Sequence, residues 1–198
     1  MNERTFSPTR AHILDDPERL KWLPPDQIIA RVGLRPGMAV ADVGAGTGYF
    51  TLPFSEVVGP SGKIHAVDFQ ADMLKKIRAK LDADKSRNNI ALVSGSASAT
   101  TLPEQSVDVV FMANLWHELD DFSAVLSEVK RILKPNGKLS IVDWRADLPS
   151  PPGPPTAHRV SVQAVQKTLE SHGWKVVDTG FVGVYSHFLG ATPKLTQT

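Results

Sequence analysis

The sequence predicts an α/β fold, a doubly wound, mostly parallel seven-stranded sheet with an antiparallel C-terminal strand pair and helices on both faces. Short apolar runs alternate with helical patterns between residues 38 and 142, which is typical of βαβ units. Two further runs, 174–179 and 181–189, follow each other closely and predict the antiparallel pair. We expect a single domain, with residues 1–35 as an N-terminal helical lid segment and 36–198 as the core.

Five apolar runs predict the parallel strands. They cover residues 38–43, 63–68, 89–94, 107–113 and 138–142. Between them, apolar side chains recur at i, i+3, i+4 and i+7, most clearly from Phe122 to Leu133, and this spacing indicates helices with one face toward the core. The other predicted helices cover 24–32, 48–58, the stretch around 73–81, and 161–169. The proline-rich segment 149–155 predicts a stiff, extended stretch.

Composition excludes several classes of function. Lys and Arg number 22 against 21 Asp and Glu, so the net charge of +1 gives no overall attraction to nucleic acid, and we expect no nucleic-acid partner. Without cysteine there is no disulfide, thiolate metal site or cysteine nucleophile, and the six histidines lack metal-ligand spacing, so no metal is predicted. The polar N-terminus and the absence of a long apolar stretch predict a cytoplasmic protein that does not span a membrane. No pattern indicates an oligomeric state.

The most informative segment is the glycine-rich turn after the first strand. Glycines 44, 46 and 48 follow the strand 38–43, and a helix comes next. The dinucleotide fingerprint places its third glycine three residues after the second, whereas here the interval is two and Tyr49 follows. Asp42, two residues before the first glycine, would repel a pyrophosphate but suits an ammonium group. The pattern therefore favours an amino-acid-bearing nucleoside such as S-adenosylmethionine. The alternative is a βα turn with incidental glycines.

Ligands of open parallel sheets bind beyond the carboxyl ends of the strands. That rule brings four segments of this chain into one predicted site. They are the turn 42–48, Asp68 at the end of the second strand, residues 114–117 after the fourth, and Asp143 after the fifth.

These segments resemble the class I S-adenosylmethionine-dependent methyltransferases, which have a Rossmann-like fold, and especially the small type 11 group that includes quinone-biosynthesis enzymes. The resemblance runs from about Asp15 to the C-terminus. Its motifs are Val40–Gly48 (VADVGAGTG), Asp68, Leu102–Asp108 (LPEQSVD) and Leu133–Leu139 (LKPNGKL).

The resemblance implies how the cofactor would be held. Asp42 and the Gly44–Gly48 turn would bind its methionine end, and Asp68 would accept both ribose hydroxyls, unless it is simply a solvated carboxylate at the end of a strand. The family usually has an acidic residue after the third strand for the adenine amino group, where this chain has Ser96. Ser96 or a backbone carbonyl can accept that bond instead. The expected cofactor-binding residues are Asp42, Gly44, Ala45, Gly46, Thr47, Gly48, Asp68, Phe69, Met73, Ser96, Ala97 and Asn114, where Phe69 and Met73 would flank the adenine and Met73 could equally be core.

Two residues are predicted to take part in catalysis. His117 follows the fourth strand, and its ordinary pKa of about 6.5 suits proton removal near neutrality. Asp143 could orient the acceptor or pair with Arg145. Alternatively, His117 and Glu118 only cap the helix that starts near residue 120. Trp116 and Trp144 could form a cation-binding wall, although packing is the more common role of such residues.

The resemblance implies methyl transfer to a small-molecule or lipid-like acceptor at N, O or C. The N-terminal segment and the proline-rich stretch would cover the acceptor. A catalytically silent, S-adenosylmethionine-binding regulator or scaffold is the alternative. A dehydrogenase conflicts with the glycine spacing and with Asp42, and RNA methylation conflicts with the near-neutral charge.

Overall fold

The computed structural model describes residues 6–148 and 152–194, and its centre is a seven-stranded sheet. The strands lie in the order β3-β2-β1-β4-β5-β7-β6. Their bounds are β1 Ala39–Val43, β2 Lys63–Asp68, β3 Ile90–Ser94, β4 Val107–Ala113, β5 Leu133–Trp144, β6 Trp174–Val182 and β7 Ser186–Pro193.

β1 to β6 run in the same direction, and β7 runs against them. β1 pairs with β2 and β4, and β4 pairs with β5, all in parallel. β7 pairs antiparallel with both β5 and β6. The predicted fold class is confirmed, and the predicted bounds of β2 and β4 are those of the structure. Chain order reverses at β1, because β2 and β3 lie on one side of it and β4 lies on the other.

In the described part of the chain, six α-helices accompany the sheet. α5 shows how the sequence sets its own bounds: the Asp121 side chain accepts a hydrogen bond from the Ala124 N–H at its start, and its apolar side chains face the core. Ser161 caps α6 in the same way through Ala164. The helices are α1 Arg19–Trp22, α2 Pro25–Val32, α3 Thr51–Val58, α4 Ala71–Ala83, α5 Phe122–Ile132 and α6 Val162–Ser171, with a 3₁₀ helix at Pro8–Asp15 before them.

Two buried clusters lie on opposite faces of the sheet. α5 and α6 cover one face, where Trp174 and Val129 are fully buried. α2 and α3 cover the other, where Phe54 packs edge-on against Phe111 of β4 with their ring centroids 4.9 Å apart. The burial of both faces explains why the parallel strands are continuously apolar instead of alternating.

The predicted starts of α3 and β5 were wrong. α3 begins at Thr51 instead of residue 48, because Gly48 has a φ of +86°, which no helix accommodates. β5 begins at Leu133, which pairs with Val107 directly after α5, so the predicted start at residue 138 is too late.

The C-terminal hairpin turns later than its sequence predicted. Gly180 was placed between the two strands, but it is paired with Phe188 inside the sheet. The turn occurs at 183–185, where Gly183 has a φ of +59°. Of the predicted stiff segment 149–155, residues 149–151 lie outside the described residues.

Candidate functional site

A cavity of about 470 Å³ lies beyond the carboxyl ends of β1, β2 and β4, where the strand order reverses. Its walls come from the glycine-rich turn, the residues after β2 and β4, the N-terminal segment and the proline-rich segment. Open α/β sheets bind their ligands at this position. Of the predicted site residues, the cavity is lined by Asp42, Gly44, Ala45, Gly46, Thr47, Asp68, Phe69, Met73, Ala97, Asn114 and His117.

The glycine-rich turn is held by backbone hydrogen bonds to β2. The N–H groups of Gly44 and Ala45 both donate to the Val67 carbonyl, at 2.8 and 3.1 Å. Gly44, Gly46 and Gly48 all have a positive φ, so the glycines are needed for the path of the chain. Gly48 lies outside the cavity lining, and a Cβ there would approach Ile77 Cγ1 to 3.2 Å. Its place is therefore in the packing of the turn against α4.

Asp42 places a buried carboxyl group in the cavity wall. It is 2% exposed, and its Oδ2 accepts a hydrogen bond of 2.5 Å from the Thr51 hydroxyl. Burial raises the pKa of Asp42 to about 7, with a smaller contribution from the charge of Asp68, and the Thr51 bond opposes the rise only in part. A cationic group in the cavity would restore the ionised form and pair with it.

Asp68 joins the end of β2 to the glycine-rich turn. Its two oxygens accept hydrogen bonds from the N–H groups of Gly46, at 2.9 Å, and Gln70, at 2.8 Å. Burial raises the pKa of Asp68, although both backbone bonds oppose the rise. Each carboxylate oxygen has more than one acceptor direction, so hydroxyl groups of a ligand can still be bound. Phe69, half exposed, and Met73, 2% exposed, line the cavity beside it.

Ser96 does not line the cavity. Its hydroxyl lies 3.2 Å from the Ser98 hydroxyl, and its N–H donates to the Ala99 carbonyl in a tight turn. The neighbours Gly95 and Ala97 do line the cavity. The Ser96 side chain is therefore not placed to contact a ligand in the cavity.

Asn114 is held in an unusual backbone conformation directly after β4. Its φ is +53°, and its N–H donates to the Val142 carbonyl at 2.8 Å. Its side-chain Oδ1 is buried at the cavity and has no hydrogen-bond partner among the described residues. A buried amide oxygen is costly without a donor, so the cavity offers an acceptor for an N–H or O–H group of a ligand.

His117 and Asp143 form a buried pair. The His117 Nδ1 lies 2.8 Å from the Asp143 Oδ1, and the carboxylate also accepts the N–H groups of His117 and Trp144. His117 lines the cavity, whereas Asp143 is completely buried behind it and is not part of the lining. Asp143 does not pair with Arg145, which binds Asp147 instead at 2.6 Å.

The burial of Asp143 alone would raise the pKa of its carboxyl group. The His117 ring beside it and the hydrogen bonds outweigh burial, so the pKa of Asp143 lies below its ordinary value. An ionised Asp143 only accepts hydrogen bonds, so the Nδ1 of His117 must donate. In the neutral ring Nε2 is then the proton-accepting nitrogen.

The two tryptophans singled out in the sequence have different surroundings. Trp116 is fully buried and stacks on Phe122 at 4.8 Å, which is core packing. Trp144 lines the cavity and lies 5.3 Å from Trp22 of α1. Gly153 of the proline-rich segment lies so close to the Trp144 ring that a Cβ there would come within 2.8 Å of it.

Several lining residues were missed by sequence analysis. Arg19, Trp22 and Tyr49 lie together on one wall, with the Arg19 guanidinium 4.0 Å from the centre of the Tyr49 ring. Glu118 lies in the cavity wall, where burial raises its pKa to about 7, and its Oε1 accepts the Phe6 N–H at 3.1 Å. No sequence motif marks these residues, because the fold brings them together from separate segments.

Within the described ranges 6–148 and 152–194, no group of three or more His, Asp or Glu side chains is arranged to hold a metal ion. No helix in the same part of the chain is long and apolar enough to cross a membrane.

Comparison with known proteins identifies the family. Residues 40–137 match the family model described as a methyltransferase domain. The crystal structure of an S-adenosylmethionine-dependent methyltransferase from Aquifex aeolicus superposes with a TM-score of 0.89 at 34% identity, over 94% of this chain and 98% of the other. The chain belongs to the S-adenosylmethionine-dependent methyltransferases. The family predicted from the sequence motifs is thereby confirmed.

Relatives of this methyltransferase include enzymes named for quinone biosynthesis. The ubiquinone/menaquinone biosynthesis C-methyltransferase UbiE of Shewanella sp. (strain W3-18-1) is 37% identical over 112 residues, 57% of this chain and 45% of that protein. The demethylmenaquinone methyltransferase of Lactococcus lactis is 36% identical over 113 residues, 57% of this chain and 44% of that protein. The chain spans less than half the length of these curated relatives.

Proposed function

We propose that this methyltransferase binds S-adenosylmethionine in the cavity and transfers its methyl group to a small, quinone-like aromatic acceptor. One observation carries the proposal: the same cavity is lined by the glycine-rich turn with Asp42 and Asp68, and by His117 with Asp143 behind it. A nucleoside site and a proton acceptor therefore border one enclosed space. The names of the relatives support the acceptor class.

The lining residues fit the cofactor. The orphaned Oδ1 of Asn114 and the buried carboxyl of Asp42 match an ammonium group. Asp68 would accept the ribose hydroxyls, and Phe69 and Met73 would flank the adenine. The cofactor supplies a methyl group on a sulfonium, which is already activated for transfer, so the protein mainly has to position the acceptor and exclude water.

His117 would act on the acceptor. A hydroquinone or phenol becomes a strong nucleophile when its hydroxyl loses a proton, and the same deprotonation activates the adjacent ring carbon. His117 would take that proton at Nε2, and the buried negative charge of Asp143 would stabilise the imidazolium that forms. Positioned bases of this kind contribute about 10²–10⁴-fold to rate.

Part of the cavity wall is apolar and aromatic. Phe6, Ile13 and Leu14 of the N-terminal segment line it together with Trp22 and Trp144. Flat aromatic rings pack well against such walls, and the walls exclude water from the reacting atoms.

The N-terminal segment is fastened to the cofactor end. The Asp15 Oδ1 accepts hydrogen bonds from the Thr47 hydroxyl, at 2.6 Å, and from the Lys80 ammonium, at 2.7 Å. Lys80 also donates to the Thr47 carbonyl at 2.7 Å. These bonds support the proposal that residues 6–22 act as a lid that closes over both ligands.

The proposal is tested by methyl transfer from S-adenosylmethionine with a radiolabelled methyl group to a panel of hydroquinones, catechols and phenols, with product identification by mass spectrometry. We expect the wild type to give labelled product with a hydroquinone. The His117→Gln variant should bind the cofactor normally but turn over at least about a hundredfold more slowly. His172→Gln is the matched control, because His172 lies at the end of α6, outside the cavity lining. Cofactor binding without turnover of any acceptor would favour the scaffold alternative.

A further inference from the structure

A buried arginine in the cavity wall has no ionic partner among the described residues 6–148 and 152–194. Arg19 is the first residue of α1 and is 6% exposed. Its Nη1 donates to the Leu14 carbonyl at 2.5 Å, and its guanidinium lies over the Tyr49 ring. Its Nε is buried with no hydrogen-bond partner among the described residues. The side chain is therefore held rigidly, with donor capacity unused.

The surroundings of Arg19 do not balance its charge. Within residues 6–148 and 152–194, no carboxylate oxygen lies within 4.0 Å of its nitrogens. Asp15, whose charge raises the pKa of Arg19, is already bonded to Lys80 and Thr47. Burial lowers the pKa of Arg19 to about 10, against the weaker opposing effects of Tyr49 and Asp15. A buried cation is costly unless an anion pairs with it, and the part of the chain that the structure describes supplies none, so the site suits an anionic ligand.

The charged groups of the cavity match an amino acid. Asp42 and the Asn114 Oδ1 are acceptors suited to an ammonium group, and Arg19 is a cation that lines the same cavity. Arg19 is also packed on Tyr49, the residue directly after the glycine-rich turn. A zwitterion that carries both an ammonium and a carboxylate would satisfy both sets of groups.

We propose that Arg19 binds the carboxylate of the amino-acid end of S-adenosylmethionine, an inference that rests on the proposed function of the cavity. With Nη1 committed to Leu14, Nε and Nη2 are the remaining donors of the guanidinium, and their two parallel N–H bonds match the two oxygens of a carboxylate. Lysine would offer a charge without this fork. The segment that ends in α1 would thus take part in cofactor binding as well as in covering the acceptor.

The test compares two ligands by calorimetric titration: S-adenosylmethionine and its decarboxylated form, which keeps the sulfonium and ammonium groups but lacks the carboxylate. Both are titrated into the wild-type chain and into Arg19→Met, Arg19→Lys and Arg78→Met. Arg78 is the matched control, because it is an exposed arginine outside the cavity lining. Thermal unfolding of each variant checks that it is folded.

The inference predicts that Arg19→Met weakens S-adenosylmethionine binding at least about thirtyfold, or ~2 kcal/mol, and changes binding of the decarboxylated ligand less than about twofold. Arg19→Lys should recover part of the loss, and Arg78→Met should bind both ligands like the wild type. An equal loss for both ligands would assign Arg19 a structural role and overturn the inference. Unchanged S-adenosylmethionine binding in Arg19→Met would also overturn it, leaving the proposed function intact. Failure of the wild type itself to bind would overturn both.

Discussion

The Nδ1 of His117 lies 2.8 Å from the Oδ1 of Asp143, and of these two residues only His117 borders the cavity. Asp143 is completely buried and holds three donors: the His117 ring, the His117 N–H at 3.0 Å and the Trp144 N–H at 2.7 Å. Its place behind the imidazole supports a role in orienting His117 and argues against direct contact with an acceptor.

The first prediction concerns this pair. Asp143→Asn should lower kcat at least about a hundredfold, because an asparagine can donate to Nδ1 and so leave the wrong nitrogen protonated. The affinity for S-adenosylmethionine should remain within about twofold of wild type, since Asp143 is outside the cavity lining. Steady-state kinetics measure kcat, and a titration measures the affinity for S-adenosylmethionine. Asp147→Asn, which removes only an exposed partner of Arg145, should leave kcat unchanged, and an unchanged kcat in Asp143→Asn would remove the pair from the mechanism.

The second prediction tests Asp68. Asp68→Ala should weaken cofactor binding at least about tenfold, or ~1.4 kcal/mol, because it removes the proposed acceptor for the ribose and also frees the Gly46 and Gln70 N–H groups. Titration calorimetry measures the change. Asp72→Ala, an exposed carboxylate four residues later, is the control and should bind normally. Equal affinities in the two variants would show that Asp68 has no part in binding.

The third prediction uses the raised pKa of Asp42. Between its ordinary value of 3.8 and about 7, the folded chain holds this proton while the unfolded chain has released it. The free energy of unfolding of the wild type therefore falls as the pH rises through this window. Asp42→Asn cannot ionise and avoids that loss, so its stability relative to wild type should grow by up to about 1.4 kcal/mol for each pH unit of the window and level off above it.

Chemical denaturation at a series of pH values measures this difference. Asp42→Asn should at the same time bind S-adenosylmethionine more weakly, because a neutral amide replaces the carboxylate that faces the ammonium group. Higher stability together with weaker binding is the result expected of a variant that removes a buried ionisable group needed for ligand binding. A stability difference that does not change with pH would contradict the assigned pKa.

The fourth prediction separates packing from backbone strain in the glycine-rich turn. Gly48 and Gly33 both have a positive φ, but a Cβ at Gly48 would meet Ile77 at 3.2 Å, whereas one at Gly33 would meet only the Lys138 Nζ, at an ordinary contact distance of 3.6 Å. Each Gly→Ala change should cost about 1–2 kcal/mol for the backbone conformation, and Gly48→Ala should cost more because Ile77 must move. Equal losses of unfolding free energy would mean that the turn and α4 adjust freely.

Much of the fold could be predicted because the pattern is local. Apolar runs indicate the buried side chains of β2 and β4, and helical periodicity indicates those of α5. The predicted boundaries were wrong where pairing decides the ends: β5 extends back to Leu133 through its contact with Val107, and Gly180 belongs to β6, where Phe188 lies opposite it.

The residues of the site likewise divide into those that the sequence could predict and those whose positions depend on contacts made in the fold. Asp42 and Asp68 lie at the ends of predicted strands and His117 follows one, so the topology rule alone brings them to the cavity that they line. Arg19 and Trp22 come from the N-terminal segment, whose place over the cavity depends on distant contacts such as Asp15 with Lys80. The position of Ser96 outside the lining likewise depends on the local turn to Ala99, which sequence alone does not reveal.

The central claim is that the cavity binds S-adenosylmethionine, and calorimetric titration of the wild-type chain with that cofactor and with its product, S-adenosylhomocysteine, tests it most directly. The account predicts saturable binding of both at micromolar concentration, with one site for each chain. Absence of heat with either ligand, in protein whose cooperative thermal unfolding shows it to be folded, would contradict the account.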